Sequence, residues 1–158
     1  MNPDRRTEPR TARVVAFYEG LDGLAALAAL PEVYAEEARF RDPFNDLRGH
    51  AAIHRVFAHM FEALQTPRFT VQEAVVQGDV AYLAWTFRFG LPLGRRVRPI
   101  AFEGATRLHF DAAGRVDDHR DHWDAAAGLY AQLPLLGGPA RWLQRRLATP
   151  GAAALSRR

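Results

Sequence analysis

The spacing of apolar residues changes near residue 67, and this change predicts the fold class. Before it, apolar side chains recur at helical spacing; after it, they alternate along extended segments, as in strands with one buried face. The clearest helix follows Gly49, ends before Pro67, and has a continuous apolar face: Ile53, Val56, Phe57, Met60, Phe61 and Leu64. Four strands are predicted after it, at 68–77, 80–91, 96–110 and 115–123, joined by turns that contain Gly78, Gly94 and Gly114.

Two shorter helices precede this one. The first covers 14–21, and Thr7 or Thr11 is its predicted N-cap, because a threonine side chain can accept a hydrogen bond from a free backbone N–H at a helix start. The second covers 21–30 and stops at Pro31, since proline disrupts a helix interior.

Helices followed by a run of strands predict an α+β domain whose helices pack on one face of an antiparallel sheet. Two further helices are predicted at 125–133 and 140–147. The expected organisation is an N-terminal tail at 1–12, one domain at 13–148 and a basic C-terminal tail at 149–158.

Composition narrows the possible chemistry. With 48% hydrophobic and 25% charged residues the chain is typical of a globular protein, and no apolar run approaches the length of a membrane span. It contains no Cys and no Lys, and its only serine is Ser156 in the tail. Thiolate nucleophiles, serine triads, cysteine metal sites, lysine Schiff bases and phosphate-loop lysines are therefore excluded. Asp, Glu, His, Tyr and Arg remain, which form an acid–base set.

The basic character of the chain lies at its ends. Residues 141–158 hold five Arg and no acid, and 1–13 carry a net charge of +2, so the body between them has a net charge near −4 despite a pI of about 9.9. We therefore expect no nucleic-acid partner. The first thirteen residues lack the apolar core of a secretory signal, so we expect a cytoplasmic protein. The amphipathic stretch at 141–147 predicts packing on the domain or a partner contact, with membrane-surface attachment as an alternative.

The last predicted strand is unusually polar. Its alternation places Asp117, His119, Asp121 and Trp123 on one face. One interpretation is a solvated strand whose charges pair across the sheet. The other is that His119 and Asp121 line a pocket, where a histidine can move a proton at neutral pH.

Asp42 is the second candidate for proton transfer. It belongs to a short extended segment at 38–43 and starts a turn with Pro43 and Asn45. Aspartate before proline commonly forms such a turn through hydrogen bonds between its side chain and the following backbone. Inside a pocket, the same carboxylate would instead serve as a base.

Two other patterns have structural explanations. His50 and His54 are one helical turn apart, as metal ligands often are, but His50 falls at the helix start, where side chains meet solvent, so we expect no metal site. Arg88 and Glu103 lie on neighbouring strands and predict a cross-strand pair.

Two segments resemble the nuclear transport factor 2-like superfamily, and within it the branch of SnoaL-like polyketide cyclases and ketosteroid isomerases. The residues that carry the resemblance are 34–44 with 49–53, and 119–124 with 129–130 and 133–137. The resemblance covers about 14–147. It implies a cone-shaped, curved antiparallel β-sheet with the N-terminal helices packed on its concave face, C-terminal helices, an interior pocket and a homodimer formed through the outer face of the sheet.

The resemblance also implies roles for particular positions. Asp42 matches the general base of the ketosteroid isomerases, and Tyr18 matches the tyrosine of their oxyanion hole. Thr106 stands where those enzymes have a protonated aspartate, and Phe57 stands where they have another pocket tyrosine. The isomerase set is therefore incomplete in this chain.

His119, Asp121 and Trp123 fall on strand positions that face the pocket in the family, similar to the acid–base set of the cyclases. The expected catalytic residues are Asp42, His119, Asp121 and Tyr18. The expected substrate-binding residues are Trp123, Phe57, Phe61, Trp85 and Thr106.

The resulting hypothesis is an acid–base enzyme without cofactor or metal, an isomerase or cyclase, that acts on a small, largely apolar carbonyl compound. Asp42 or the pair His119 and Asp121 would remove a proton next to the carbonyl group, and Tyr18 would stabilise the enolate. The alternative is a non-catalytic ligand-binding or protein-interaction module of the same fold, in which the polar residues form a structural network and the basic C-terminal helix is the contact surface.

Overall fold

The structure, a computed structural model, describes residues 8–125 together with 138, 139, 142 and 146. The chain divides into two compact units, Met1–Trp123 and Asp124–Arg158, and every helix and strand with defined ends lies in the first. The helices predicted at 125–133 and 140–147 fall almost entirely outside the described residues. No helix in the described part of the chain is long and apolar enough to cross a membrane.

Helix α1 (Pro9–Glu19) begins earlier than predicted, and its N-cap is Glu8 rather than Thr7 or Thr11. The Glu8 carboxylate accepts hydrogen bonds from the backbone N–H and from the hydroxyl of Thr11, each at 2.8 Å. Thr11 is fully buried in the first turn. Thr11, one of the two predicted N-caps, therefore donates to the Glu8 side chain that caps the helix.

A 3₁₀ helix (Leu24–Ala29) and helix α2 (Leu30–Val33) replace the single helix predicted over 21–30. Pro31 lies in the first turn of α2, where the missing N–H of proline leaves no helical hydrogen bond unmade. The prediction failed because proline is as compatible with the start of a helix as with its end.

Helix α3 (His50–Ala63) follows Gly49 as predicted. Gly49 has a φ of +83°, a backbone conformation that glycine adopts without steric cost. The predicted apolar face is confirmed: it buries Ile53 and Phe57 against the sheet and leaves Phe61 partly exposed.

Six strands form one curved, unclosed sheet. They are β1 (Tyr34–Arg41), β2 (Asp46–Arg48), β3 (Gln65–Gln77), β4 (Val80–Leu93), β5 (Arg96–Phe110) and β6 (Val116–His122). Their order across the sheet is β2-β1-β6-β5-β4-β3. The meander of four strands and its turns are confirmed, as is the α+β class.

The sheet is mixed, whereas the prediction was antiparallel. β1 runs parallel to β6, with Phe40 in register with His119, while all other neighbours are antiparallel. Alternation within a strand cannot reveal such pairing, because the two strands lie far apart in sequence. This parallel pair brings the aromatic face of β1 against the polar strand β6.

The register of β4 and β5 also separates a predicted pair. Arg88 lies opposite Ala101, and Glu103 lies opposite Thr86, so the two charged residues are diagonal neighbours and not direct partners. The expected cross-strand pairing of Arg88 and Glu103 is therefore wrong, because strand alternation alone does not set the register.

Candidate functional site

Strand β6 directs two polar side chains to the concave face of the sheet, where the helices pack. His119 pairs with Leu108 of β5, and Asp121 pairs with Thr106 of the same strand. The partners Leu108 and Thr106 are buried, and so is His119. A polar pair therefore stands inside the domain and not on a solvated face.

Asp117 does not share that face. The pairing of β5 and β6 shifts between His109 and Phe110, which marks a β-bulge. Asp117 instead contacts His109, with 2.6 Å between Oδ1 and Nδ1, and both side chains are about 40% exposed. Strict alternation is wrong for Asp117 because a bulge inserts one residue into the strand.

His119 is fully buried, and its ring is held on two sides. Nδ1 lies 3.0 Å from the hydroxyl of Tyr34 and 3.3 Å from the hydroxyl of Tyr18. The two hydroxyls are 2.7 Å apart. The imidazole stacks on Phe40, with 4.4 Å between the ring centroids. Stacking fixes the plane of the ring, and hydrogen bonding fixes its rotation.

A continuous chain of hydrogen bonds connects this histidine to the indole of Trp85. Nε2 of His119 lies 2.9 Å from Oδ1 of Asp121, and the same oxygen accepts a hydrogen bond from the hydroxyl of Thr106. The Thr106 oxygen in turn accepts from Nε1 of Trp85 at 2.8 Å. An indole N–H can only donate, so the direction of these hydrogen bonds is set. Trp85 donates to Thr106, and Thr106 and His119 both donate to the Asp121 carboxylate. These six residues, Tyr18, Tyr34, Trp85, Thr106, His119 and Asp121, are called the His119 cluster below.

The direction of the chain selects the tautomer of His119. Nε2 faces an acceptor and carries the proton, so Nδ1 of the neutral ring accepts from Tyr34 or Tyr18. The tautomer of His119 is therefore fixed by its neighbours, a carboxylate on one side of the ring and two hydroxyls on the other.

Asp121 connects the cluster to its surroundings. Its side chain is 17% exposed, whereas that of His119 is 0% exposed. The remaining members are buried. Oδ1 carries the two hydrogen bonds of the cluster, and among the described residues no donor contacts Oδ2. A molecule that approaches the cluster thus meets Asp121 before His119.

Burial raises the pKa of Tyr18 and of Tyr34 well above the ordinary tyrosine value, because a buried phenolate loses its hydration. The negative charge of Asp121 acts in the same direction on both. Both hydroxyls therefore stay protonated at neutral pH, and the cluster uses them as hydrogen-bond donors and not as bases.

We expect these two tyrosines to make the protein unstable in alkali. An unfolded tyrosine ionises near pH 10, whereas the buried pair holds its protons to higher pH. The contribution of the two tyrosines to the free energy of unfolding is therefore fully present below pH 10. Above pH 10 the free energy of unfolding falls by about 1.4 kcal/mol per pH unit for each tyrosine. Urea unfolding at several pH values from 9 to 12 measures the slope, and the absence of Lys and Cys keeps the titration simple.

Y34F should halve that slope, since one buried hydroxyl is removed. Y82F is the matched control because Tyr82 is 48% exposed, and its slope should equal that of the unmodified protein. An unchanged slope in Y34F would show that the buried hydroxyls do not govern the alkaline loss.

Gly104 provides the space for the Trp85 indole. The two residues are cross-strand partners, and a Cβ at position 104 would lie 2.6 Å from Cζ2 of the indole and overlap Cη2 as well. We expect G104A to displace the ring, break its hydrogen bond to Thr106 and lower the free energy of unfolding by about 1–3 kcal/mol. G23A, at an extended residue with no atom near the added methyl group, is the control. Equal stabilities of the two variants in guanidinium unfolding would contradict this.

Asp42 lies outside the hydrogen bonds of the cluster. Oδ1 accepts from the backbone N–H groups of Phe44 and Asn45, at 2.7 Å each, and the Asn45 amide donates to both oxygens, at 3.0 and 2.9 Å. The backbone N–H of Asp42 closes the turn on the carbonyl of Asn45. The geometry is that of the self-bonded turn which the sequence offered as the structural interpretation.

Aromatic side chains surround the cluster. Phe57 of α3 packs edge-on against Tyr18 and Phe40, at 5.9 Å between ring centroids in both cases. Trp123, just after β6, stacks on Phe102 at 4.5 Å and meets Phe44 edge-on at 5.5 Å. Phe61, one of the expected substrate-binding residues, is partly exposed on α3, one helical turn after Phe57. The face that holds Asp121 is therefore largely apolar.

Tyr34 is the member of the cluster that sequence reasoning missed. The predicted extended segment started at residue 38, whereas β1 starts at Tyr34, which is fully buried. The pairing with β6 shifts between Tyr34 and Arg39, so the period from Tyr34 to Phe40 is interrupted. The available signal in the sequence was Tyr34 itself, an aromatic residue that directly follows a helix end and starts the strand.

The two candidate metal ligands of the sequence lie elsewhere. His50 and His54 line an open surface groove of about 440 Å³ between the 3₁₀ helix and α3, together with apolar residues. Nε2 of His50 is 2.8 Å from the backbone carbonyl oxygen of Tyr34. His50 therefore anchors the start of β1 and thereby supports the tyrosine of the cluster.

Comparison with known proteins gives the chain a family and a fold. The family model of SnoaL-like domains matches residues 14–119. A search of curated proteins found no match.

Three solved structures are similar to this chain. A putative polyketide cyclase from Acidithiobacillus ferrooxidans is 18% identical with a TM-score of 0.69, and the match covers 82% of this chain and 97% of that one. A putative SnoaL-like polyketide cyclase from Shewanella putrefaciens is 17% identical with a TM-score of 0.68 (80% and 96% covered), and a protein of ketosteroid isomerase-like fold from Catenulispora acidiphila is 19% identical with a TM-score of 0.67 (86% and 98% covered). At these identities the likeness concerns the fold alone.

Proposed function

Because the chain belongs to the SnoaL-like domain family, we propose that its concave face binds a small, largely apolar carbonyl compound and that Asp121 transfers a proton next to the carbonyl group. The observation that carries this assignment is that Asp121 is the partly exposed end of an otherwise buried hydrogen-bonded cluster. The surrounding face offers aromatic contacts for an apolar ligand. No cofactor is needed for this chemistry.

The reaction step is a proton abstraction. The Asp121 carboxylate takes the proton from the carbon next to the carbonyl, the C–H bond breaks, and its electron pair moves to the carbonyl oxygen as an enolate. Return of the proton at another carbon gives an isomer, and attack of the enolate on a second carbonyl gives an aldol-type cyclisation. Both reactions need one carboxylate base and a donor for the enolate oxygen.

His119 positions this base. Its Nε2–H donates to Oδ1 of Asp121, as does the hydroxyl of Thr106. Two donors on one oxygen fix the carboxylate plane and leave Oδ2 for the substrate proton. The ring of His119 is itself fixed by Tyr34 and Phe40, so the geometry is set before a ligand binds.

The enolate donor is assigned to Trp123 instead of Tyr18. The Tyr18 hydroxyl is engaged by Tyr34 and His119 inside the core, where it is 2.7 and 3.3 Å from its two partners. Trp123 follows Asp121 by two residues, just past the end of β6, which corresponds to about 7 Å along extended chain. Among the described residues its indole N–H has no hydrogen-bond partner, so it is available to an enolate oxygen.

The test is hydrogen–deuterium exchange at the carbon next to a carbonyl. A panel of apolar ketones, β-keto esters and cyclic enones is incubated with the full-length protein in deuterated buffer, and exchange is followed by mass spectrometry and NMR. We expect at least one compound class to exchange faster with protein than with buffer alone. Binding without exchange across the whole panel would reject the enzyme.

Binding without exchange would favour a ligand-binding module of the same fold. The observation behind this alternative is that every hydrogen-bonding group of His119 is satisfied inside the protein, as in a structural network. A module predicts quenching of tryptophan fluorescence by the same ligands with no exchange. The two candidates therefore differ in one measured quantity.

We also expect a homodimer formed through the outer face of the sheet. Val75 of β3 and Tyr82 of β4 are in register there, and they are 51% and 48% exposed. Such a pair provides apolar surface for a second copy. Sedimentation of the full chain over a range of concentrations measures the association, and Y82R should weaken it.

A further inference from the structure

The outer end of the hairpin formed by β4 and β5 is strongly basic. Arg95 lies in the turn after Gly94, and Arg96 and Arg98 follow at the start of β5. All three are exposed, and no acidic residue occurs between 80 and 102. In the part of the chain that the structure describes, none of the three has a hydrogen-bond or ion-pair partner.

Two more arginines lie further from the turn, one on the hairpin and one on the neighbouring strand β3. Arg68 of β3 lies directly opposite Arg88 of β4, and both are exposed. Like charges in this position repel each other. Glu103 lies opposite Thr86 and so does not stand between them. This end of the sheet, the arginine-rich end, therefore carries five guanidinium groups, none of which has an ion-pair partner among the described residues.

Aliphatic side chains are exposed at the same place. Leu93 is 39% exposed and Val97 is 47% exposed. Leu93 pairs with Arg96 at the last rung before the turn, and Val97 pairs with Pro92 on the next rung. Paired residues share a face of the sheet and neighbouring residues point to opposite faces, so Leu93, Arg96 and Arg98 lie on one side of the hairpin, and Val97 and Arg88 lie on the other.

We propose that the arginine-rich end docks on an anionic lipid surface. The guanidinium groups would bind headgroup phosphates, and Leu93 and Val97 would enter the apolar boundary below them. A lipid interface surrounds an inserted tip, so it can satisfy both sides of the hairpin at once. This inference does not depend on the proposed catalytic role of Asp121.

Other anionic partners fit the hairpin less well. Single-stranded nucleic acid is bound by stacking of bases on aromatic residues, and residues 90–99 contain none. Duplex phosphates would pair with the arginines but would leave the two exposed aliphatic side chains in water. An acidic protein surface would contact one side of the hairpin and leave the basic residues of the other side unpaired.

The test uses the full chain with sedimentable vesicles of phosphatidylcholine alone or mixed with an equal amount of phosphatidylglycerol. We expect binding only to the anionic vesicles, weakened by added salt. R95Q/R96Q/R98Q should lower the partition coefficient about 100-fold, since each basic residue contributes roughly a factor of five. L93S/V97S should lower it on the order of tenfold.

R48Q/R55Q/R120Q is the matched control, because it removes the same charge from exposed positions away from the hairpin. It should bind within about threefold of the unmodified protein, as expected for charges beyond the range of direct contact. Circular dichroism and thermal unfolding confirm that each variant is folded. Three results would overturn the proposal: unchanged binding of the hairpin variant, equal binding to neutral vesicles, or binding to DNA or RNA in place of vesicles.

Discussion

Replacing Asp121 by asparagine should slow carbonyl α-proton exchange by about 10²- to 10⁴-fold, the usual contribution of a general base. The asparagine oxygen can still accept from Thr106 and His119, so the hydrogen-bonded chain is kept while the base is lost. We therefore expect the variant to bind the same ligand with an affinity within about threefold, because uncharged contacts dominate an apolar site. Exchange is measured by mass spectrometry, and binding is measured by fluorescence.

D117N and D42N are the comparisons for this variant. Asp117 faces outward from the same strand and pairs with His109, so D117N should exchange at the rate of the unmodified protein. D42N tests the other predicted base, whose carboxylate is engaged in its own turn. If D42N loses exchange and D121N keeps it, the catalytic base is Asp42 and the assignment made from the geometry fails.

Replacing His119 by alanine should lower the free energy of unfolding by roughly 3–5 kcal/mol. The substitution removes a fully buried ring that stacks on Phe40, and so it leaves a cavity. It also removes the partner of Asp121 and of the hydroxyl of Tyr34 inside the core. Unpaired buried polar groups cost about 1–3 kcal/mol each, so the two effects act in the same direction.

H109A is the matched control for this loss. His109 lies on the neighbouring strand with its side chain 41% exposed, and its partner Asp117 is also partly exposed. Contacts between partly exposed polar side chains contribute little, so H109A should cost less than about 1 kcal/mol. Guanidinium unfolding of both variants decides the matter, and similar losses would mean that the cluster does not stabilise the core as its burial indicates.

Alternation and helical periodicity were enough to predict most of the fold. The face of α3, the four strands of the meander and their glycine turns follow from local spacing, because burial of one side imposes that spacing on the sequence. The same rule placed His119 and Asp121 on one face of the last strand, and the family resemblance implied that this face lines the pocket. It failed at Asp117, where a bulge that no local pattern announces turns the side chain outward.

What the sequence could not supply depends on pairing between distant segments. Tyr34 enters the cluster only because β1 lies beside β6, and the apolar pattern of either strand is compatible with several neighbours. The hydrogen bond between Thr106 and Asp121 likewise follows from register and not from residue type. Tyr18 also reaches His119 through contacts between distant segments, whereas the turn that holds Asp42 is local and was one of the two interpretations that the sequence offered.

The parallel pair of β1 and β6 sets an order of assembly during synthesis. About eighty residues separate Phe40 from its partner His119. At a synthesis rate of 5–20 residues per second, β6 is therefore made roughly 4–16 s after β1, the strand it pairs with. During that time it can pair only with the short β2, and its aromatic face has no polar strand beside it. The histidine and the carboxylate arrive last, on the final strand of the sheet. A nascent chain that ends before Val116 therefore holds the tyrosines without the site that they complete.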